Sequence, residues 1–334
     1  MSYEPTVMRK ALARLERRRD NRDRRRYELE RELYARQPRL RQIDADLRGT
    51  MADLALLAAG GRPIRADGPE IAAIRARSEA LQTERTGLLA ELGYGPDALD
   101  GAPACPRCGD RGWGEDGKMC ACLKELCTQE QIKALTALLN LTDEQDFDRL
   151  RLDVYSDRPW DGNRPPREHM KQVAAVCEGY ARQFPDYPLK NLLLSGGTGL
   201  GKTFLSGCVA REVSRRGFSV VYDTASSVFG AFDDRRFARD MEQERRARDD
   251  ARRYLSCDLL ILDDLGSEHN LPSTRASLYE LVNGRLQSGR HTIISSNLST
   301  REIGAEYGAQ LASRLEGLYR ELTFYGEDLR LKLR

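Results

Sequence analysis

The run Gly196-Gly197-Thr198-Gly199-Leu200-Gly201-Lys202-Thr203 constrains this chain more than any other stretch. It has the form G-x-x-x-x-G-K-[S/T], follows an apolar stretch at 191–195 and opens a helical pattern. That setting of strand, loop and helix is what a phosphate-binding loop requires. Glycines let backbone N–H groups curl around phosphate oxygens, and the helix N-terminus adds the positive end of its dipole. In such a loop Lys202 reaches the β- and γ-phosphates of a bound nucleotide and the Thr203 hydroxyl ligates Mg2+.

A second signal lies some sixty residues on, where the apolar run Leu259-Leu260-Ile261-Leu262 ends in Asp263-Asp264-Leu265-Gly266. This is the Walker B pattern, a buried strand that delivers two carboxylates beside the phosphate loop. Asp263 is expected in the magnesium shell and Asp264 toward the attacking water. The strand-like run at 291–296 ends in Asn297. There the amide would sit between the γ-phosphate and Asp264 and orient the water, unless it is an ordinary strand-ending asparagine.

At 334 residues the chain has room for two domains. The 54 basic and 52 acidic residues leave a formal charge of only +2, so any nucleic-acid surface must be a local patch. No apolar run approaches a membrane span, and the first twenty residues carry arginines where a signal peptide needs an apolar core. A soluble, cytoplasmic protein is expected, with no membrane partner.

Eight arginines crowd between Arg14 and Arg26, within a helix-prone stretch from Met8 to Arg48. Both a solvated helix and a basic contact for nucleic acid fit that composition. Leu40, Ile43, Leu47, Leu54 and Leu57 follow a heptad after Pro38, which must kink or restart the helix, and Gly60-Gly61-Arg62-Pro63 breaks it. Ile71, Ile74, Leu81 and Leu88 form a second set, between Asp67-Gly68-Pro69 and Gly93-Tyr94-Gly95-Pro96. The pattern predicts an antiparallel helical hairpin or coiled-coil arm over 1–100, packed on itself, docking a partner, or both.

Cys105, Cys108, Cys120 and Cys122 give C-x-x-C followed by C-x-C, with Cys127 close behind. In a reducing compartment four such thiolates suit a structural Zn2+ site with no open position. Cys127 could replace Cys122 as the fourth ligand. A zinc-binding module is therefore expected over 101–130, a connector over 131–166 with its hinge at 158–167, and the nucleotide-binding domain over 167–334. Cys177, Cys208 and Cys257 read as small core residues.

The order of phosphate loop, Asp263-Asp264, Ser296-Asn297 and Ser313-Arg314 resembles the AAA+ ATPases. With Asp263-Asp264-Leu265-Gly266 and Gly326-Glu327-Asp328-Leu329-Arg330, it resembles specifically the bacterial helicase loaders of the DnaC and DnaI type, to which the transposition helper IstB is similar. The resemblance covers roughly 171–330. It implies a five-stranded parallel sheet without a C-terminal lid, and a homo-oligomer formed on ATP. It also implies Arg314 as an arginine finger reaching a neighbouring subunit, and leaves Arg330 as the nearest candidate for a nucleotide sensor. The expected activity is ATP hydrolysis during loading of the hexameric replicative helicase onto single-stranded DNA. The helicase would be gripped by the N-terminal region, and DNA would face the arginines of 233–253. The alternative is an IstB-like helper binding duplex DNA and a transposase, against which the cysteine module speaks.

Overall fold

The structure, a computed structural model, describes residues 3–59, 68–138, 146–269 and 271–332. The break expected at 60–63 lies outside these residues. The chain divides into two compact units, one comprising Leu12–Cys122 and the other Met1–Ala11 together with Leu123–Arg334. The residues expected to form one zinc module, 101–130, are shared between them.

Helix α1 (Pro5–Arg36) begins in the second unit and continues into the first; α2 (Pro38–Ala59) and α3 (Pro69–Glu91) complete the N-terminal helices. Pro38 ends α1 and starts α2, because a proline has no N–H to give and disfavours a helical residue before it. Pro69 opens α3 in its first turn, where the missing N–H costs nothing. Leu33, Leu40, Leu89 and Leu99 form the small core, and α2 packs against α3. The second heptad is shifted by one position at its end, since Leu89 is fully buried and Leu88 only partly. The first seam fades toward the end of α2, where Leu54 is exposed. Arg85 ties the hairpin together, reaching Asp44 at 2.9 Å.

In the larger unit the start of α1 is followed by α4 (Ala121–Leu138) from Leu123 onward and by two 3-10 turns, Phe147–Arg149 and Leu152–Val154. There follow α5 (Pro166–Gln183), β1 (Asn191–Gly196), α6 (Lys202–Arg215), β2 (Val220–Thr224), α7 (Ala225–Arg236), α8 (Met241–Ser256) and β3 (Leu259–Leu265). The unit continues with α9 (Pro272–Gln287), β4 (His291–Ser296), α10 (Thr300–Tyr307), α11 (Ala309–Leu318), β5 (Arg320–Phe324) and a last 3-10 turn, Leu329–Leu331. The sheet is wholly parallel in the order β2-β3-β4-β1-β5. The stretch expected to be one charged helix over 233–253 is divided at 237–240, between α7 and α8.

Alternation along the strands sends neighbouring side chains to opposite faces. Leu192, Leu194, Ile261 and Ile293 face α5 and α6 through Met170, Cys177, Leu205 and Val209. Leu193, Leu260, Leu262 and Ile294 meet Phe232, Tyr254, Leu278 and Leu315 of the other helical layer. Strands buried on both faces read as continuous apolar runs, which is why β1 and β3 stand out in the sequence. Among the described residues, no helix is long and apolar enough to cross a membrane.

Candidate active site and four-cysteine cluster

The phosphate loop leaves β1 at Gly196 and enters α6 at Lys202. Gly196 has φ +139°, and a Cβ there would lie 2.1 Å from the Phe324 carbonyl oxygen. At Gly199 a Cβ would meet the Asp328 carboxylate at 1.8 Å. Only glycine fits these two points, because the loop passes hard against β5 and the tail that follows it. Leu329 N–H donates to the Gly199 carbonyl at 3.0 Å, and Tyr155 Oη donates to that of Leu200 at 2.9 Å. The loop is thus braced from both sides.

Lys202 Nζ donates to the carbonyls of Gly196 (2.5 Å) and Gly197 (2.7 Å) and to Asn297 Oδ1 (2.8 Å). Burial draws its pKa down, while Asp264 and Asp263 oppose the fall. The amide of Asn297 donates to Asp264 Oδ1 at 3.4 Å, so Asn297 stands between lysine and carboxylate. Asp264 has a left-handed backbone, φ +59°, where the β3–β4 register shifts between Leu262 and Leu265. A non-glycine residue there is strained, and the irregularity turns Asp264 outward while Asp263 stays buried.

Asp263 is held by three hydroxyls. Tyr222 donates to its Oδ2 at 2.9 Å, Thr203 donates to the same oxygen at 3.3 Å, and Ser295 donates to Oδ1. Burial, then the charge of Asp263, pushes the Tyr222 pKa well above its ordinary value, so this phenol keeps its proton. Thr203 and Asp263 are hard oxygen donors side by side at the helix N-terminus, a pair that fits Mg2+.

A cleft of about 980 Å³ opens over these groups. Its walls include Thr198, Gly199, Leu200, Gly201, Lys202 and Thr203, with Asp263, Asp264, Asn297 and Arg330. Arg149, Arg151 and Tyr155, in and beside the two 3-10 turns, line it as well, in a stretch whose sequence reads only as connector. No motif marks them, and the tyrosine beside the hinge was the one available hint. Arg314 does not line the cleft. It lies on α11 with its guanidinium 4.6 Å from the Tyr279 ring, donating to Tyr279 Oη at 2.6 Å and Asn283 Oδ1 at 3.2 Å on α9.

Residues 186–317 match the family of the IstB-like ATP binding protein. The segment holds the phosphate loop, Asp263, Asp264, Asn297 and Arg314, so the cleft is that of an ATP-binding domain. The ATP-binding protein of insertion sequence IS1162 from Pseudomonas fluorescens is 33% identical over 112 residues, 32% of this chain and 44% of that protein. The chromosomal replication initiator protein DnaA of Zymomonas mobilis is 29% identical over 146 residues, 42% of this chain and 28% of that one. This chain spans less than half the length of both relatives. The DnaC helicase loader structure aligns with a TM-score of 0.41 at 18% identity, over 54% of this chain and 98% of that one. DnaI aligns at 0.40 and 20%, over 54% and 94%.

In the other unit, the sulfurs of Cys105, Cys108, Cys120 and Cys122 lie within 4.8 Å of one another. The geometry brings Cys122 into the cluster, while Cys127 lies buried on α4 with its thiol pushed up to about 11 by burial. Buried Asp110 accepts from the Ala104 and Cys105 N–H groups at 3.0 and 2.8 Å, and Gly112 N–H donates to Cys108 Sγ at 3.3 Å. Burial resists ionisation of the Cys108 thiol, yet the Gly112 N–H and the neighbouring thiols bring it down to about 7. Four converging sulfurs with backbone N–H support suit a closed tetrahedral Zn2+ site, and they could bind it.

Proposed function

We propose that this protein is an ATP-hydrolysing loader of the replicative helicase, working on single-stranded DNA as an ATP-assembled oligomer. The observation that carries the reading is the separation of Arg314 from the cleft of its own subunit. Lys202, Asn297, Asp263 and Asp264 converge there, whereas Arg314 is presented on α11 by Tyr279 and Asn283. A guanidinium held in that way suits a nucleotide bound by a neighbouring copy.

ATP enters with its phosphates on the loop N–H groups and Lys202, and Thr203 with Asp263 would hold Mg2+, which would supply charge neutralisation at the phosphates. Asp264 accepts a proton from the water that attacks the γ-phosphorus as the bond to the β,γ-bridging oxygen breaks and ADP leaves, Asn297 fixes the water's position, and Arg314 of the next subunit meets the charge developing on the γ-phosphate. Such a finger is worth about three to five decades in rate. Arg330, on the cleft wall, is proposed to contact the phosphates. The four-cysteine cluster is proposed to hold zinc and to shape the N-terminal unit that grips the helicase.

The match to the IstB-like family and the insertion-sequence relative favours a second reading, a transposition helper that binds duplex DNA and a transposase. The deciding experiment immobilises the full chain with ATP and offers it the replicative helicase and single-stranded DNA, or a transposase and duplex DNA. Retention of helicase that ends on hydrolysis supports the loader. Retention of transposase with duplex DNA alone overturns it.

A further inference from the structure

The arginines of the two charged helical stretches are in different states. In α8, five arginines stand against four carboxylates, and Arg246 and Arg248 pair with Glu242 and Glu244 one turn back. Arg253 is held by Glu4 at 2.6 Å and Asp223 at 3.2 Å, and Arg235 of α7 by Glu280 at 2.7 Å. Between Arg14 and Arg26 on α1 the sequence sets eight arginines among three carboxylates, Glu16, Asp20 and Asp23.

Arg18, Arg22, Arg25 and Arg26 fall at i, i+4, i+7 and i+8, one face of the helix. They line a groove of about 510 Å³ whose other wall comes from Ala98 and the segment 101–104. Arg18 and Arg25 are exposed and have no ion pair among the described residues. Arg26 reaches Glu30 at 3.4 Å on the surface, a pair that water screens. The single carboxylate lining the groove, Asp110, is buried and already accepts two backbone N–H groups, with Arg22 at 3.5 Å. Arg22 also pairs with Asp23 at 2.9 Å, so the groove's net positive field rests on Arg18 and Arg25.

We propose that this groove of the N-terminal unit binds the phosphate backbone of nucleic acid, at a site separate from the ATP cleft. Guanidinium forks suit phosphate oxygens. From Arg18 to Arg25 the helix rises about 10 Å, enough to follow two or three successive phosphates of one strand. An arginine row along a helix grips a linear polyanion without reading bases, so binding is insensitive to sequence and steeply dependent on salt. The inference does not depend on the loader reading, since it concerns the other unit and requires no nucleotide.

The test uses the full-length protein without ATP, and fluorescent mixed-sequence 20-mers, single-stranded and duplex, titrated across a range of salt. For Arg18→Glu/Arg25→Glu we expect at least tenfold weaker binding and a salt slope shallower by about 1.5, near 0.7 per lost phosphate contact. Arg18→Gln/Arg25→Gln should fall between this variant and the unaltered protein, and zinc content and nucleotide binding should not change. Two exposed arginines of α2 and α3 that do not line the groove serve as the control in Arg41→Glu/Arg75→Glu. Equal binding of both DNA forms, or preference for one, supports the groove and identifies the form it takes. Unchanged affinity and slope in the α1 variants, or an equal loss in the control, overturns the proposal and leaves the loader reading standing. Displacement of DNA by polyglutamate at equal charge concentration also overturns it, because the groove would then serve an acidic protein surface.

Discussion

Asn297 and Asp264 meet amide to carboxylate at 3.4 Å, across the gap between the ends of β4 and β3. Because Asn297 also accepts from Lys202 at 2.8 Å, the three residues form one line from phosphate cation to candidate base. Asp264→Asn should therefore bind ATP while turning over about two to four decades more slowly, the usual worth of a positioned base. Asn297→Ala, which leaves both charges in place, should lose less. Nucleotide binding by fluorescence and phosphate release under single turnover check both.

Arg314 makes no contribution to its own cleft wall. Arg314→Ala should leave ATP affinity of the isolated subunit intact and abolish the stimulation of turnover that comes with rising protein concentration. The loss at high concentration should be about three decades or more. The check is ATPase rate against protein concentration for each protein. A concentration-independent rate in the unaltered protein would count against a finger acting between subunits.

Tyr222 gives its hydroxyl to Asp263 from β2, with β3 and β4 between it and the strand that leads into the phosphate loop. Tyr222→Phe should leave the fold intact and raise the Mg2+ concentration needed for half-maximal turnover several-fold, since orienting partners typically change metal affinity by about ten- to a hundredfold. A magnesium titration at saturating ATP separates this from a loss of nucleotide binding.

Cys105, Cys108, Cys120 and Cys122 should bring one equivalent of zinc through purification, and Cys108→Ser should lose it. Zinc-site folding energy in small modules is about 10 kcal/mol or more, so chelation should unfold the knuckle around residues 105–122. ATP binding, which resides in the other unit, should persist. Elemental analysis and hydrogen exchange over these residues give the measurement.

His291 starts β4 with its ring 4.5 Å from that of Phe184 and its Nδ1 buried without a partner. Burial is the main cause lowering its pKa below the ordinary 6.5. Between the lowered folded value and 6.5 the unfolded chain binds the extra proton, so stability should decrease as pH falls from 6.5 and be fully restored above it. His291→Phe should flatten that part of a urea-midpoint profile against pH.

The phosphate loop, the acidic end of β3 and the cysteine spacing were legible because each is local. A run of glycines before a helix, or a buried strand ending in two carboxylates, admits few alternatives within a short window. The break at 237–240 was not, since charge fills both sides of it and no proline or glycine marks it. Tyr3 and Glu4 lay in a stretch read as part of the arm. They belong instead to the larger unit, where Tyr3 Oη donates to the Gly217 carbonyl at 3.0 Å and Glu4 pairs with Arg253.

By itself the sequence determined that a nucleotide cradle, a pair of strand-end acids and four metal-suited thiols exist in this chain, because those chemistries are written in neighbouring residues. Which groups complete them was decided only by the tertiary structure. Tyr155, Tyr222 and Ser295 reach the loop or Asp263 from remote positions, Cys122 joins the sulfur cluster, and Arg246 and Arg248 of α8 pair with its own glutamates while Arg18 and Arg25 of α1 have no ion pair among the described residues. Hydrogen bonds and charge compensation act over a few ångströms of space, and separation along the chain does not encode that distance.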